Sequence, residues 1–237
     1  MSRCCRFVSD LHRFSRRSEG DRYESAIQQA AKETDVLVLG GDIFDFKWST
    51  LASQKETIRE ACLWLMDLAS LNRRCEVHYV LGNHDFNDPF MEALDNLAED
   101  CPNFHWHCYY LQLGKTLFLH GDVADRFMDQ DELVLRRQSW KKHGRPPAMY
   151  HDFYSLAINL GLHKLPAFFV HRSRQVAERL VYYIDCHPEL DRNSISQVYF
   201  GHTHVAMEGY EFAGLQFHNG GAPMRGLKFC MIDAEIL

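Results

Sequence analysis

Five short loops carry residues suited to cation binding: Asp10-Leu11-His12, Gly41-Asp42-Ile43-Phe44-Asp45, Gly82-Asn83-His84-Asp85, His120-Gly121-Asp122 and Gly201-His202-Thr203-His204. They mix carboxylate and carboxamide oxygens with imidazole nitrogens and offer no thiolate, a donor set that suits manganese, iron, zinc or nickel. Together they hold more ligands than one ion needs. Two ions sharing one carboxylate fit better, the arrangement that stabilises both attacking and leaving oxygens in phosphoryl transfer. Singly, each motif is ordinary: an Asp-x-His is commonly chance, and a Gly-Asp is commonly a turn. Five such loops in order, each behind a strand, are not ordinary.

The elements that position these loops are legible in the hydrophobic pattern. Apolar runs at Cys4–Ser9, Val36–Leu39 and Val77–Leu81 end in the first three loops, and short β-branched runs bounded by breakers predict buried strands. Between them, Asp21–Glu33 and Gln54–Leu71 place apolar residues at helical spacing. Alternating strands and helices predict parallel pairing, with the site at the carboxyl ends of the strands. A second strand-rich region is expected from Phe104 onward, with strands at Thr116–Leu119, Gln197–Phe200, Met207–Phe212, Leu215–His218 and Leu227–Ile232. Gly209, Gly214 and Asn219-Gly220-Gly221 are read as turns of a meander. The expected fold is α/β, two packed mixed sheets flanked by helices.

Length and charge bound the rest. The 237 residues are 46% hydrophobic with a net charge of −6, which predicts one domain spanning 1–237 and argues against wrapping long nucleic acid. No run approaches a membrane span, no apolar leader opens the chain, and eight scattered cysteines without a Cys-x-x-Cys pair suggest reduced thiols, so a cytoplasmic protein is expected. Residues 125–187 change character: net +4 over residues 126–186, with helical patterns near Gln130–His143, Tyr150–Leu160 and His171–Cys186 around a Gly144-Arg145-Pro146-Pro147 break. That segment is expected to be a helical cap inserted in the domain.

The ordered set of five motifs, running from Asp10 to Gly221, resembles the calcineurin-like metallophosphoesterases. The resemblance implies that Asp10, His12 and His204 hold a first metal, that Asp42 bridges, and that Asn83, His120 and His202 complete a second site. It implies further that His84 contacts phosphate and acts as general acid, oriented by Asp45. Two divalent ions, manganese first with iron, zinc or nickel as alternatives, would lower the pKa of a bridging water. The resulting hydroxide would attack the phosphorus of a phosphodiester or pyrophosphate. Asp85 is expected to cap the following helix, and Asp122 to support a ligand rather than be one.

The cap's position and its arginines, with Phe86 and Asp45-Phe46-Lys47-Trp48, are similar to those of the UDP-2,3-diacylglucosamine hydrolases, which split a pyrophosphate. That likeness implies a phosphorylated small-molecule or lipid-linked substrate, with Arg136, Arg137 and Lys141 as phosphate contacts. It also implies an acyl groove from Leu156, Leu160, Leu162, Leu165, Phe168 and Phe169, and a peripheral touch on a membrane. His84 departs from it, because arginine is common there in that branch. A cyclic-nucleotide phosphodiesterase is the other enzymatic reading. A scaffold without catalysis ranks last, since every ligand and His84 are present; the sequence leaves the oligomeric state undetermined.

Overall fold

The computed structural model describes residues 3–141 and 172–236. The first sheet takes β1 (Cys4–Val8), β2 (Val36–Gly40), β3 (Glu76–Val80), β4 (Phe104–His107) and β10 (Ile232–Glu235), in the order β10-β1-β2-β3-β4. The second takes β5 (Tyr110–Leu113), β6 (Thr116–Leu119), β7 (Gln197–Phe200), β8 (Met207–Phe212) and β9 (Leu215–Asn219), in the order β5-β6-β7-β9-β8. Strands β1 to β4 are parallel, as are β6, β7 and β9, while β10, β5 and β8 run antiparallel to their neighbours.

Side-chain alternation explains the layering. Cys5, Phe7, Val36, Val38 and Val80 face Phe118 and Tyr199 of the second sheet and form the apolar seam between the two. The alternate residues Leu37, Leu39, Val77 and Tyr79 face outward beneath α1 (Glu24–Glu33), α2 (Gln54–Ser70) and α3 (Asp88–Asp100). On the far side Leu117, Leu119, Val198, Phe200 and Phe217 lie beneath α4 (Gln130–Lys141) and α5 (Ser173–Cys186). Because every strand is covered on a face by helix or sheet, the ligand loops leave the barrel-like seam only at the strand ends.

Several local expectations change. Phe104–His107 is the parallel edge of the first sheet, not the start of the second, because its register follows Val77–Val80. The last strand is Ile232–Glu235 rather than Leu227–Ile232, and it returns to pair with β1. Helix α3 is capped by Asn87, whose side chain accepts from Phe90 N–H, and not by Asp85. Helices α4 and α5 stand where the cap's outer helices are expected; the helix near Tyr150–Leu160, the Gly144–Pro147 break and the proposed acyl-groove residues lie outside the described residues. No helix among the described residues is long and apolar enough to cross a membrane.

Candidate metal centre

The five loops meet at one end of the seam between the sheets. Asp10 N–H donates to Gly41 O at 3.0 Å and His12 N–H to Asp42 O at 2.8 Å, which lays the β1 and β2 loops side by side. Across the seam, His202 N–H donates to both oxygens of Asp10 at 2.9 and 3.0 Å, and within the second sheet Gly201 N–H donates to His120 O at 2.7 Å. The backbone is bent hard here. Seven non-glycine residues among those described have positive φ, and five of them are Asp10, His12, Asp42, His202 and His204. Such conformations cost on the order of 1 kcal/mol or more each and persist where function requires them.

The possible ligands form three overlapping groups, Asp10–His12–His204, His12–Asp42–His84 and Asp42–His120–His202, of which the outer two hold the expected metal donors. In the first, His12 Nε2 and His204 Nε2 are 3.1 Å apart, and His204 Nε2 lies 3.4 Å from Asp10 Oδ1. In the third, Asn83 Oδ1 lies 3.2 Å from His120 Nε2 and 3.1 Å from His202 Nδ1, and Asp42 Oδ2 lies 3.4 Å from His120 Nε2. Asp42 Oδ2 is also 3.8 Å from His12 Nε2, so this carboxylate stands between the groups. Three oxygens and four nitrogens facing one another, buried except for the half-buried His202 and His204, fit a pair of divalent ions in donor type and number.

Two glycines allow this closeness. A Cβ on Gly82 would lie 2.2 Å from Asp42 Oδ1, and one on Gly201 would lie 2.2 Å from Asp10 Oδ2. The glycines of the motifs are therefore steric requirements of the carboxylates beside them.

The field of the site follows from its charges. Burial raises the Asp42 carboxyl, but the charges of His120 and His84 outweigh it and hold the group well below the usual carboxylate range. Burial alone would lower His120; Asp42 overrides it and lifts the imidazole to about 10. His12 goes the other way, to about 3, through burial and the Arg17 charge. Asp10 is also low, because His204 overcomes the cost of burial. The carboxylates thus keep the negative charge that draws cations.

His84 stands beside the donors. Its backbone N–H donates to Asp42 Oδ1 at 2.8 Å, its ring is 4.9 Å from that of His12, and its Nδ1 is 3.0 Å from Asp45 Oδ1. Asp45 is fully buried. Burial raises its carboxyl, yet His84 and Arg17 hold it well below the usual range, so it is anionic. With Nδ1 committed to Asp45, Nε2 of His84 is the nitrogen left for a ligand.

Supporting residues were less legible in the sequence. Asp125 Oδ1 lies 3.0 Å from His202 Nε2, the carboxylate–histidine arrangement that aims a metal ligand, and His120 Nδ1 lies 3.1 Å from Gly40 O. Ser9 Oγ donates to Asp10 Oδ2 at 2.6 Å. Arg17 donates to Asp45 Oδ2 at 2.9 Å. Asp85 accepts from Tyr79 Oη, Gly82 N and Ile43 N, tying the β2 and β3 loops together instead of capping a helix. The Asn219–Gly221 stretch is more than a turn: Asn219 Nδ2 donates to Gly201 O at 2.8 Å and braces the His202 loop. Of these, Asp85 and Asn219 stood out in the sequence but with other tasks, and Ser9, Arg17 and Asp125 carried no motif that marks them.

The three cap cations are not gathered at the donors. Arg137 is buried at 1% exposure, bound through Nε and Nη2 to Asp122 and through Nη1 to Cys108 O. Its guanidinium is committed to the interior, a correction to its expected phosphate contact; Asp122 is drawn to about 2 by Arg137 against the effect of burial. Arg136 pairs with Asp125, and Lys141 pairs with Asp88 while lying 4.3 Å over the Phe86 ring.

The family model described as calcineurin-like phosphoesterase matches residues 6–206, a span that contains every donor named above. The chain belongs to the calcineurin-like phosphoesterase family. Members use a dinuclear divalent metal site, and this chain is a metal-dependent phosphoesterase with candidate His and Asp ligands in place. Solved structures similar to it include phosphopantetheinyl hydrolase (PptH) from Mycobacterium tuberculosis, 14% identical with a TM-score of 0.46 over 93% of this chain and 90% of that one. A dimetal phosphatase from Danio rerio is 15% identical with a TM-score of 0.47, over 93% and 88%. No curated protein matches the chain significantly.

Proposed function

We propose that this phosphoesterase hydrolyses a phosphodiester or pyrophosphate bond in a small-molecule substrate. The observation that carries this is the convergence of seven O and N donors about Asp42, with the His84–Asp45 pair directly beside them. Asp10, His12 and His204 would hold one ion, Asn83, His120 and His202 the other, and Asp42 both; manganese suits this mixed hard-oxygen and imidazole set first, with iron, zinc or nickel next. When bound, such ions supply a strong nucleophile from water at neutral pH and neutralise phosphoryl charge.

The chain's own residues do the remainder. Asp42 Oδ1 fixes the backbone of His84, and anionic Asp45 holds Nδ1. His84 Nε2 then carries the proton that the leaving oxygen takes as its bond to phosphorus breaks and the water oxygen's bond forms. A leaving group of low basicity needs that proton least. Residues 125–187 are proposed as the cap over this site, with Arg136 and Lys141 as its substrate-binding cations. The narrower reading, a lipid-sugar pyrophosphatase of the UDP-2,3-diacylglucosamine type acting in the cytoplasm at a membrane surface, rests on that cap.

The test is substrate class. Metal-reloaded protein is expected to hydrolyse bis(p-nitrophenyl) phosphate and a UDP-sugar faster than p-nitrophenyl phosphate, and His84→Ala to slow a diester with a basic leaving group, such as diphenyl phosphate, about 10²–10⁴-fold with its metals kept, and bis(p-nitrophenyl) phosphate less. Hydrolysis confined to the monoester would refute the proposal. Cleavage of a UDP-linked lipid sugar to UMP, but not of a cyclic nucleotide, would favour the narrower reading.

A further inference from the structure

Asp45 lies between two histidines with different tasks. Its Oδ1 is 3.0 Å from His84 Nδ1, and its Oδ2 is 3.6 Å from Nδ1 of His12, one of the donors. A carboxylate so placed can orient either ring but not serve both well. Three further contacts decide the matter. Trp48 N–H donates to Oδ1 at 2.9 Å and holds that oxygen on the His84 side. Arg17 Nη2 donates to Oδ2 at 2.9 Å, and the same nitrogen is 3.0 Å from His12 Nδ1, so the guanidinium is wedged between Oδ2 and the His12 ring. The Arg17 side chain is only 8% exposed, and a charge-assisted bond at that depth is among the stronger kinds.

We infer that Arg17 is a positioning residue: by occupying Asp45 Oδ2 it withholds the carboxylate from His12 and dedicates Oδ1 to His84, keeping Nε2 of His84 aimed at the leaving oxygen. This rests on the reading of His84 as the proton donor. Without Arg17, Asp45 Oδ2 loses its partner, the carboxylate is no longer held in place, and His84 loses its anchor. Arg17 bonds Asp45 rather than a reacting atom, so its effect on the leaving oxygen is passed through Asp45 to His84.

The experiment is a double-mutant cycle on metal-loaded full-length protein with aryl phosphodiesters whose leaving phenols run from p-nitrophenol to phenol. Arg17→Gln is expected to lower kcat about 10–100-fold with KM and metal content unchanged, and to lower it more as the leaving phenol becomes more basic. Arg17→Lys, which keeps the charge and one donor, should recover a large part of that loss. In a His84→Ala background Arg17→Gln should cost less than about twofold. An equal loss in both backgrounds, a loss independent of the leaving group, or a loss accounted for by missing metal would overturn the inference and leave His84 as the acid. If His84→Ala alone has no effect on the phenyl ester, the acid reading falls and this inference with it.

Discussion

Gly82→Ala is the sharpest perturbation of the centre that leaves every ligand in the sequence. Gly82 is not among the left-handed glycines, so an alanine backbone is acceptable there and the effect is steric. The added Cβ would stand 2.2 Å from Asp42 Oδ1 and 2.5 Å from Asp42 N. Ordinary contact begins near 3.4 Å, so the carboxylate must retreat by about 1 Å. The backbone nitrogen cannot rotate aside, and Oδ1 also anchors His84 N–H at 2.8 Å. A misplacement of about 1 Å near reacting atoms costs on the order of 10²-fold in rate, and overpacking costs about 1–3 kcal/mol in stability. Gly82→Ala is therefore expected to fold, to melt a few degrees lower, and to lose about 10²-fold in kcat/KM on bis(p-nitrophenyl) phosphate, with weaker retention of metal. Wild-type kcat/KM with two tightly held ions would refute the placement of Asp42 between the two donor groups.

Asp125→Asn removes the carboxylate behind His202 Nε2 and should weaken metal retention about 10–100-fold in a chelator titration; an unchanged affinity would show that Asp125 does not aim His202. A pH effect is expected far from the centre, where His78 stacks on His105 and His107 at 5.1 and 5.4 Å, with Glu76 3.6 Å from His78 Nε2. Burial first, then neighbouring imidazoles, lowers both His78 and His107 to about 4, below the ordinary 6.5. Between those values the unfolded chain binds protons that the folded chain refuses, so stability falls as pH falls from about 6.5 to about 4. Allowing for their shared repulsion and partial solvent access, the pair accounts for about 2–3 kcal/mol. Urea melts of metal-free protein should show a smaller acid loss in His78→Gln than in wild type, and parallel losses would contradict the assignment.

What the sequence made legible was local. Strand-then-loop grammar and donor chemistry identify the five loops, because each strand's apolar run and each loop's glycine are contiguous in the chain. Pairing that depends on remote partners was not legible: β10 returns more than two hundred residues to β1, and Phe104–His107 joins β3 by register alone. Nor can a charge's partner be read from its type. Arg137 looks like a phosphate contact until Asp122 is found to enclose it, and nothing in the sequence marks Arg17 until it is seen on Asp45. Asp85 has the composition of a helix cap, yet its three bonds run to two loops and a tyrosine. In each case the decisive fact is a contact between segments brought together only by the fold.

The most direct test of a two-ion centre bridged by Asp42 is a manganese titration of metal-stripped protein, reading bound metal and bis(p-nitrophenyl) phosphate hydrolysis on the same samples, with Asp42→Asn in parallel. The account predicts two ions per chain, activity that rises with the second equivalent, and a variant that holds neither ion tightly and hydrolyses nothing. Full activity at one equivalent, or two tight ions in Asp42→Asn, would contradict it.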